Sequence, residues 1–335
     1  MLEGPEHSSV SEGDEVFKWI TENINFLIVT AADAEAEALW HPWPSAAIEE
    51  LPGFSKNFFS AEHGVLQPSL SVLGDESPKI ILLDISGPDF YVGSIGNECM
   101  VAHTHLTSQG SQALGDTLSS AVELFKNLKI VYMSGMLGGF HSIEGTCIGS
   151  TILSDNISGK YGQKMGDIVI CDSVFVPESK KPIKFTSNIG NRIFQKYSTN
   201  FKNAVKTINI HCGPILCVPE VIREHEERER LRERYGINKD KTPLSLGFEM
   251  ESKALLDIEK NYAEQPHLPQ IYTILAKSIS DWGVGKPEEG NEGRKEHEKE
   301  RAFASRSSIL FLIYLLSQKN AFNFVKDFKK KVTIL

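Results

Sequence analysis

Residues 271–281 read Ile-Tyr-Thr-Ile-Leu-Ala-Lys-Ser-Ile-Ser-Asp. The run from Ile271 to Ser280 has the composition of a strand, and Asp281 closes it. Open α/β sheets place their ligands at the carboxyl ends of strands, so an acid in that position is a candidate site residue. Thirty residues upstream, Gly247-Phe248-Glu249-Met250-Glu251 sets two carboxylates two positions apart, where an apolar stretch meets a helix. Core packing explains such a pair poorly. The two segments together offer one group to grip a polyol and another to carry a proton.

Outward from these segments the chain alternates strands and helices. Ile24–Ala31 reads as a buried first strand, running into the Ala/Glu-rich helix Asp33–Trp40. Lys79–Ser86, Tyr91–Ile95, Ile130–Met133, Gly166–Cys171 and Ile208–Val218 read as further strands. Ser111–Leu128, Asn188–Val205, Glu251–Tyr262 and Glu300–Leu316 read as helices, and Ser134–Gly139 as a glycine-rich turn. This alternation predicts one α/β sheet with helices on both faces. Residues 1–22 are expected to form a tail or short helix outside the core, 23–320 the catalytic domain, and 321–335 a C-terminal extension. Arg223–Arg234 reads as an exposed charged helix, and Gly283–Arg301 as a mobile loop that is either a lid over Asp281 or simply solvated.

Bulk properties narrow the class. With 335 residues, 41% hydrophobic and 24% charged, the chain can bury a sizeable core. A net charge of −9 argues against nucleic acid or an anionic membrane as the main partner. The longest apolar run, Ile309–Leu316, is too short to span a bilayer. Five cysteines without Cys-x-x-Cys spacing, and no signal-peptide core at the start, predict buried free thiols in the cytoplasm. His103 and His105 would share one side of a strand, but no third ligand is in view, so no metal is expected.

Four ordered motifs carry a resemblance to a known family. They are Thr30-Ala31 with Glu35; Gly135–Gly139 followed by Gly166-Asp167-Ile168-Val169; Phe248-Glu249-Met250-Glu251; and Lys277-Ser278-Ile279-Ser280-Asp281. From about Phe26 to Leu316 the chain resembles the nucleoside phosphorylase superfamily, in particular its methylthioadenosine/S-adenosylhomocysteine nucleosidase branch. The resemblance implies a three-layer α/β/α sandwich around a mixed central sheet. It also implies a homo-oligomer, dimer or hexamer, in which a neighbour often completes each site. The substrate it implies is an adenine nucleoside or nucleotide, cleaved to release adenine without metal or organic cofactor.

Such a cleavage needs protonation of the leaving base, stabilisation of an oxocarbenium-like sugar, and a nucleophile on the opposite face. Asp281 is assigned the proton at N7; taken alone it would better suit a helix N-cap, and the other motifs reverse that preference. Glu251 is assigned the ribose hydroxyls and Met250 the underside of the sugar, while Glu249 assists at the hydroxyls, supports the site from behind, or is simply an exposed first-turn carboxylate favoured by the helix dipole. Val221 and Ile222 align with base-stacking positions, and Met136 and Gly138 with the glycine-rich wall. A Val where that branch has an aromatic leaves Phe140, Phe175 or Trp282 to supply the ring.

Glu35 decides between hydrolysis and phosphorolysis. Thr30–Leu39 has neither Gly nor Arg and carries Asp33, Glu35 and Glu37. A carboxylate repels a phosphate dianion but can act as general base toward water, so hydrolysis is expected, and arginines lining the cavity would undo that expectation. The alternatives are a phosphate-dependent purine nucleoside phosphorylase and a catalytically silent nucleotide-binding module. Some relatives in bacterial antiviral systems act on adenine nucleotides, for which Lys160, Lys164 and Arg192 are candidate phosphate contacts.

Overall fold

The computed structural model describes residues 4–43, 65–69, 78–96, 99–140, 146–148, 151–153, 162–177, 179–222, 224–236, 245–265, 267–281, 292–318, 320–325 and 328. Strand β2 (Phe26–Thr30) shows how the layers arise, because all five of its residues are buried. Successive side chains on a strand point to opposite faces. Phe26 and Ile28 accordingly join one apolar core, and Leu27 and Val29 the other. Strand β7 (Ile130–Gly139) repeats the pattern, with Ile130 and Tyr132 on the first face and Val131 and Met133 on the second.

Helices α2 (Asp33–Trp40), α4 (Ile189–Ala204) and α7 (Glu292–Ser317) supply the first core through Ala36, Leu39, Ile193, Phe201 and the run Ile309–Leu316. Helices α1 (Glu15–Asn23), α3 (Ser111–Leu124) and α6 (Ser252–Ala263) supply the second through Phe17, Ile20, Leu114, Leu118 and Leu255. The result is the α/β/α sandwich expected.

The main sheet is mixed. From β7 outward on one side lie β2, β6 (Cys99–His105), β5 (Phe90–Ile95), β4 (Ile80–Asp84) and β1 (His7–Ser11). On the other side β13 (Gly247–Glu249), β12 (Ile210–Cys217), β10 (Ile168–Phe175) and β14 (Tyr272–Asp281) return to β7, so these five strands close on themselves. The parallel pairs β2–β7, β7–β14 and β12–β13 bring their carboxyl ends toward one region. That region holds the site.

Four expectations need correction. The N-terminal segment does carry a short helix, α1, but it is not outside the core: β1 pairs in parallel with β4, and α1 buries Phe17 and Ile20, because apolar residues at helical spacing find the second core. Residues 321–325 are likewise tied in, with Phe322 and Val325 buried and Phe322 set edge-on to Phe26. Ser134–Gly139 is strand rather than turn, since β14 pairs along it as far as Gly138. Helix α7 begins at Glu292, so residues 292–301 are helical rather than loop, as their Glu, Lys and Arg content favours; residues 283–291 lie outside the described residues. The charged helix, α5 (His225–Leu231), is exposed in part, but Arg228 is buried and paired with Glu229.

Candidate active site

Glu35 lies in the first turn of α2 and is 2% exposed. Its Oε2 accepts hydrogen bonds from the backbone N–H groups of Ala31 at 2.7 Å and Ala32 at 3.1 Å. Its Oε1 accepts one from Met136 N–H at 2.8 Å. One carboxylate thus ties the end of β2 to β7. Gly135 makes this approach possible: a Cβ there would overlap the Glu35 carboxylate, and its φ of +153° disfavours other residues. Burial pushes the Glu35 carboxyl above the ordinary range, although Lys277 and the amides pull the other way.

Glu249 and Glu251 stand at the junction of β13 and α6, and both are buried. Glu249 accepts from Glu251 N–H at 2.8 Å and Ser252 N–H at 3.0 Å, which caps α6. Glu251 accepts from Gly110 N–H at 3.0 Å, just before α3. Lys277, in the middle of β14 and 2% exposed, reaches both, with Nζ at 2.7 Å from Glu251 and 3.2 Å from Glu249. Burial alone would lower the ammonium's pKa, but Glu251, Glu249 and Glu35 together hold it above the usual lysine range. The sharing is uneven. Burial also raises Glu249, whereas at Glu251 burial is outweighed by Lys277 and the hydrogen bonds, leaving it depressed. Of the two, Glu251 is the one more strongly held in its ionised form.

Asp281 ends β14 beyond a register shift between Ile279 and Asp281 opposite Leu137 and Gly138. Such a bulge re-aims a side chain at the end of a ladder. Ser280 donates its hydroxyl to Asp281 Oδ2 at 3.1 Å. Gly138 must stay small because a Cβ would overlap the Phe248 ring.

All nine residues picked from the sequence, Glu35, Met136, Gly138, Val221, Ile222, Glu249, Met250, Glu251 and Asp281, line one cavity of about 280 Å³. The aromatic that lines the cavity with Val221 and Ile222 is Phe248, whose ring centroid lies 5.1 Å from that of Phe140 at a tilt of 47°. Phe175 belongs to the same small core and does not line the cavity, and Trp282 lies outside the described residues. Lys164 and Arg192 do not line it either, and Lys160 lies outside the described residues.

Lys277, His297 and Arg301 also line the wall and had been given no role. Lys277 had a legible signal, since a lysine inside an apolar strand must find carboxylates. His297 and Arg301 had none, because their helix was read as loop. Elsewhere, His103 and His105 contact Thr30 within the sheet, and among the described residues no cluster of three or more His, Cys, Asp or Glu is set to hold a metal. No described helix is long and apolar enough to cross a membrane. Cys99, Cys171 and Cys217 are buried free thiols, and Cys212 is half-buried.

This sheet, closed on five of its strands and sandwiched between helices, is the nucleoside phosphorylase-like fold. The chain is similar in structure to the methylthioadenosine/S-adenosylhomocysteine nucleosidase from Neisseria meningitidis in complex with methylthio-immucillin-A (13% identity, 86% of this chain and 96% of that one, TM-score 0.51). It is also similar to that from Colwellia psychrerythraea 34H in complex with adenine (14%, 88% and 94%, TM-score 0.51). In sequence it is 23% identical over 331 residues to a death domain-containing ATP nucleosidase of Amphimedon queenslandica. It spans 51% of that relative's length while 92% of this chain is matched. No protein-family model matches the sequence.

Proposed function

We propose that this chain is an N-ribohydrolase that cleaves the N-glycosidic bond of an adenine nucleoside or nucleotide and releases adenine. The observation that carries the reading is the anchoring of Glu35. The amides of Ala31, Ala32 and Met136, the donors a phosphate nucleophile would need, are all taken by this carboxylate. With Glu249 and Glu251 it sets three buried carboxylates against one ammonium. A dianion entering that field would be repelled, whereas a neutral water would be polarised.

In this reading Asp281 delivers a proton to N7, so the base departs neutral as the C1′–N9 bond breaks. The ionised Glu251 accepts hydrogen bonds from the ribose hydroxyls, and these strengthen as positive charge grows on the ring. Glu35 takes the proton of the water that attacks C1′ from the opposite face. Val221, Ile222 and Phe248 hold the base, and Met250 the sugar. Lys277 keeps Glu251 charged and fixed, and Glu249 supports it while capping α6. Adenine as the base rests on the relatives' names and on the resemblance at Asp281.

Phosphorolysis has one observation in its favour, the guanidinium of Arg301 in the cavity wall. Adenine release from adenosine, methylthioadenosine, AMP and ATP, followed by chromatography with and without inorganic phosphate, decides between them. Release independent of phosphate and lost in Asp281→Asn and Glu251→Gln is expected. Phosphate-dependent release would instead identify a phosphorylase, and tight binding with no free adenine a silent module. The free thiols support a cytoplasmic location, and the superfamily resemblance supports a homo-oligomer and a nucleotide-degrading role in antiviral defence.

A further inference from the structure

A second, larger cavity of about 790 Å³ adjoins the first. The two share Ala31, Ala32, Gln109 and Arg301 as a common wall. Val221, Ile222, Phe248 and Asp281 line only the first; Trp40, Tyr91 and His105 line only the second. On the reading above, a nucleoside with its base at Asp281 and its hydroxyls at Glu251 largely fills the first chamber, which is small for a ligand site (~300–1,000 Å³ is usual). The wall shared with the second chamber offers an exit for whatever extends from the 5′ carbon, because the side chains of Ala31 and Ala32 there stop at Cβ.

Arg301 stands at that passage. It is half-buried, borders both chambers, and forms no ion pair with any described residue. A guanidinium lining a cavity and ion-paired to none of the described carboxylates is a fork ready for an oxyanion. The acids of the second chamber, Asp33, Glu37, Asp89 and Glu298, are exposed and stay solvated, where their repulsion is screened.

Asp33 is moreover engaged. The Trp40 indole N–H donates to His103 Nδ1 at 3.0 Å, so neutral His103 donates from Nε2 to Thr30 Oγ1 at 2.9 Å. The Thr30 hydroxyl then donates to His105 Nδ1 at 3.2 Å, and His105 Nε2–H points at Asp33, also at 3.2 Å. That relay turns Asp33 toward His105.

We infer that the second chamber receives a 5′-phosphoryl chain and that Arg301 is the residue that selects a 5′-phosphorylated adenosine over the free nucleoside. The inference rests on the hydrolase reading and has its own test. Steady-state adenine release from adenosine, AMP and ATP is measured for the full chain, for Arg301→Ala and for Arg301→Lys. The wild type should favour a nucleotide, and AMP against ATP reports the chain length. In Arg301→Ala the ratio of nucleotide to adenosine kcat/KM should fall about ten- to hundred-fold, mainly through KM, with partial recovery in Arg301→Lys. Because a ratio is read, a general loss of folded protein leaves it unmoved. An unchanged ratio, a wild type that prefers adenosine, or phosphate-stimulated adenosine cleavage that vanishes in Arg301→Ala would each overturn it. No adenine from any substrate would overturn the hydrolase reading itself.

Discussion

Replacing Lys277 with Met tests how the buried charges are balanced. The substitution keeps the volume and removes the ammonium that lies 2.7 Å from Glu251 and 3.2 Å from Glu249. Breaking a buried pair by deleting one partner costs about 3–5 kcal/mol. An independent route agrees: protonating one glutamate of ordinary pKa ~4.3 at pH 7 costs about 3.7 kcal/mol at ~1.36 kcal/mol per unit. At roughly 2.1 cal/mol/K per residue of unfolding entropy, the 335-residue chain should lose about 4–7 °C in Tm at pH 7.

Acidification should close the gap. In the wild type the depressed Glu251 contributes stability above its unfolded pKa, which is lost as pH falls. In the variant the uncompensated carboxylates are relieved by protonation, so by pH 5 the penalty falls to about 1 kcal/mol. Adenine release should be lost at both pH values, since no cation then holds Glu251 in place. Melting curves from pH 5 to 8, with a chromatographic assay, check both points. Equal melting temperatures at pH 7, or a gap that does not vary with pH, would refute the claim that Lys277 neutralises this cluster.

Two more predictions address Glu35. Gly135→Ala should drive a methyl into the Glu35 carboxylate, cost about 1–3 kcal/mol and cut adenine release more than ten-fold; unchanged melting and turnover would contradict the close approach. Because burial raises the Glu35 pKa and the base acts ionised, kcat/KM should fall on the acid side at a pH above the ordinary carboxylate range of ~4.3, and Glu35→Gln should abolish that limb; a profile flat down to pH 4.5 would exclude Glu35 as the base.

Much of the architecture was readable along the chain because it is written in local periodicity. The unbroken apolar run Phe26–Thr30 demanded a strand covered on both faces, and Asp33–Trp40 demanded a helix. The misreadings fell where a long-range partner overrides local composition. Glycines suggested a turn at Ser134–Gly139, yet β14 offers a ladder that keeps the segment extended. Charged residues at 292–301 suggested a loop, yet they open the helix whose far end, Ile309–Leu316, is buried in the core.

From sequence alone came the acids and their order: Glu35, Glu249, Glu251 and Asp281 are marked by motifs within single elements. Only the tertiary structure decided their chemistry, by placing Lys277 between two glutamates, three backbone amides on Glu35, and Arg301 between two chambers. Charge balance depends on distance through space, and residues hundreds of positions apart acquire that distance only when the sheet closes.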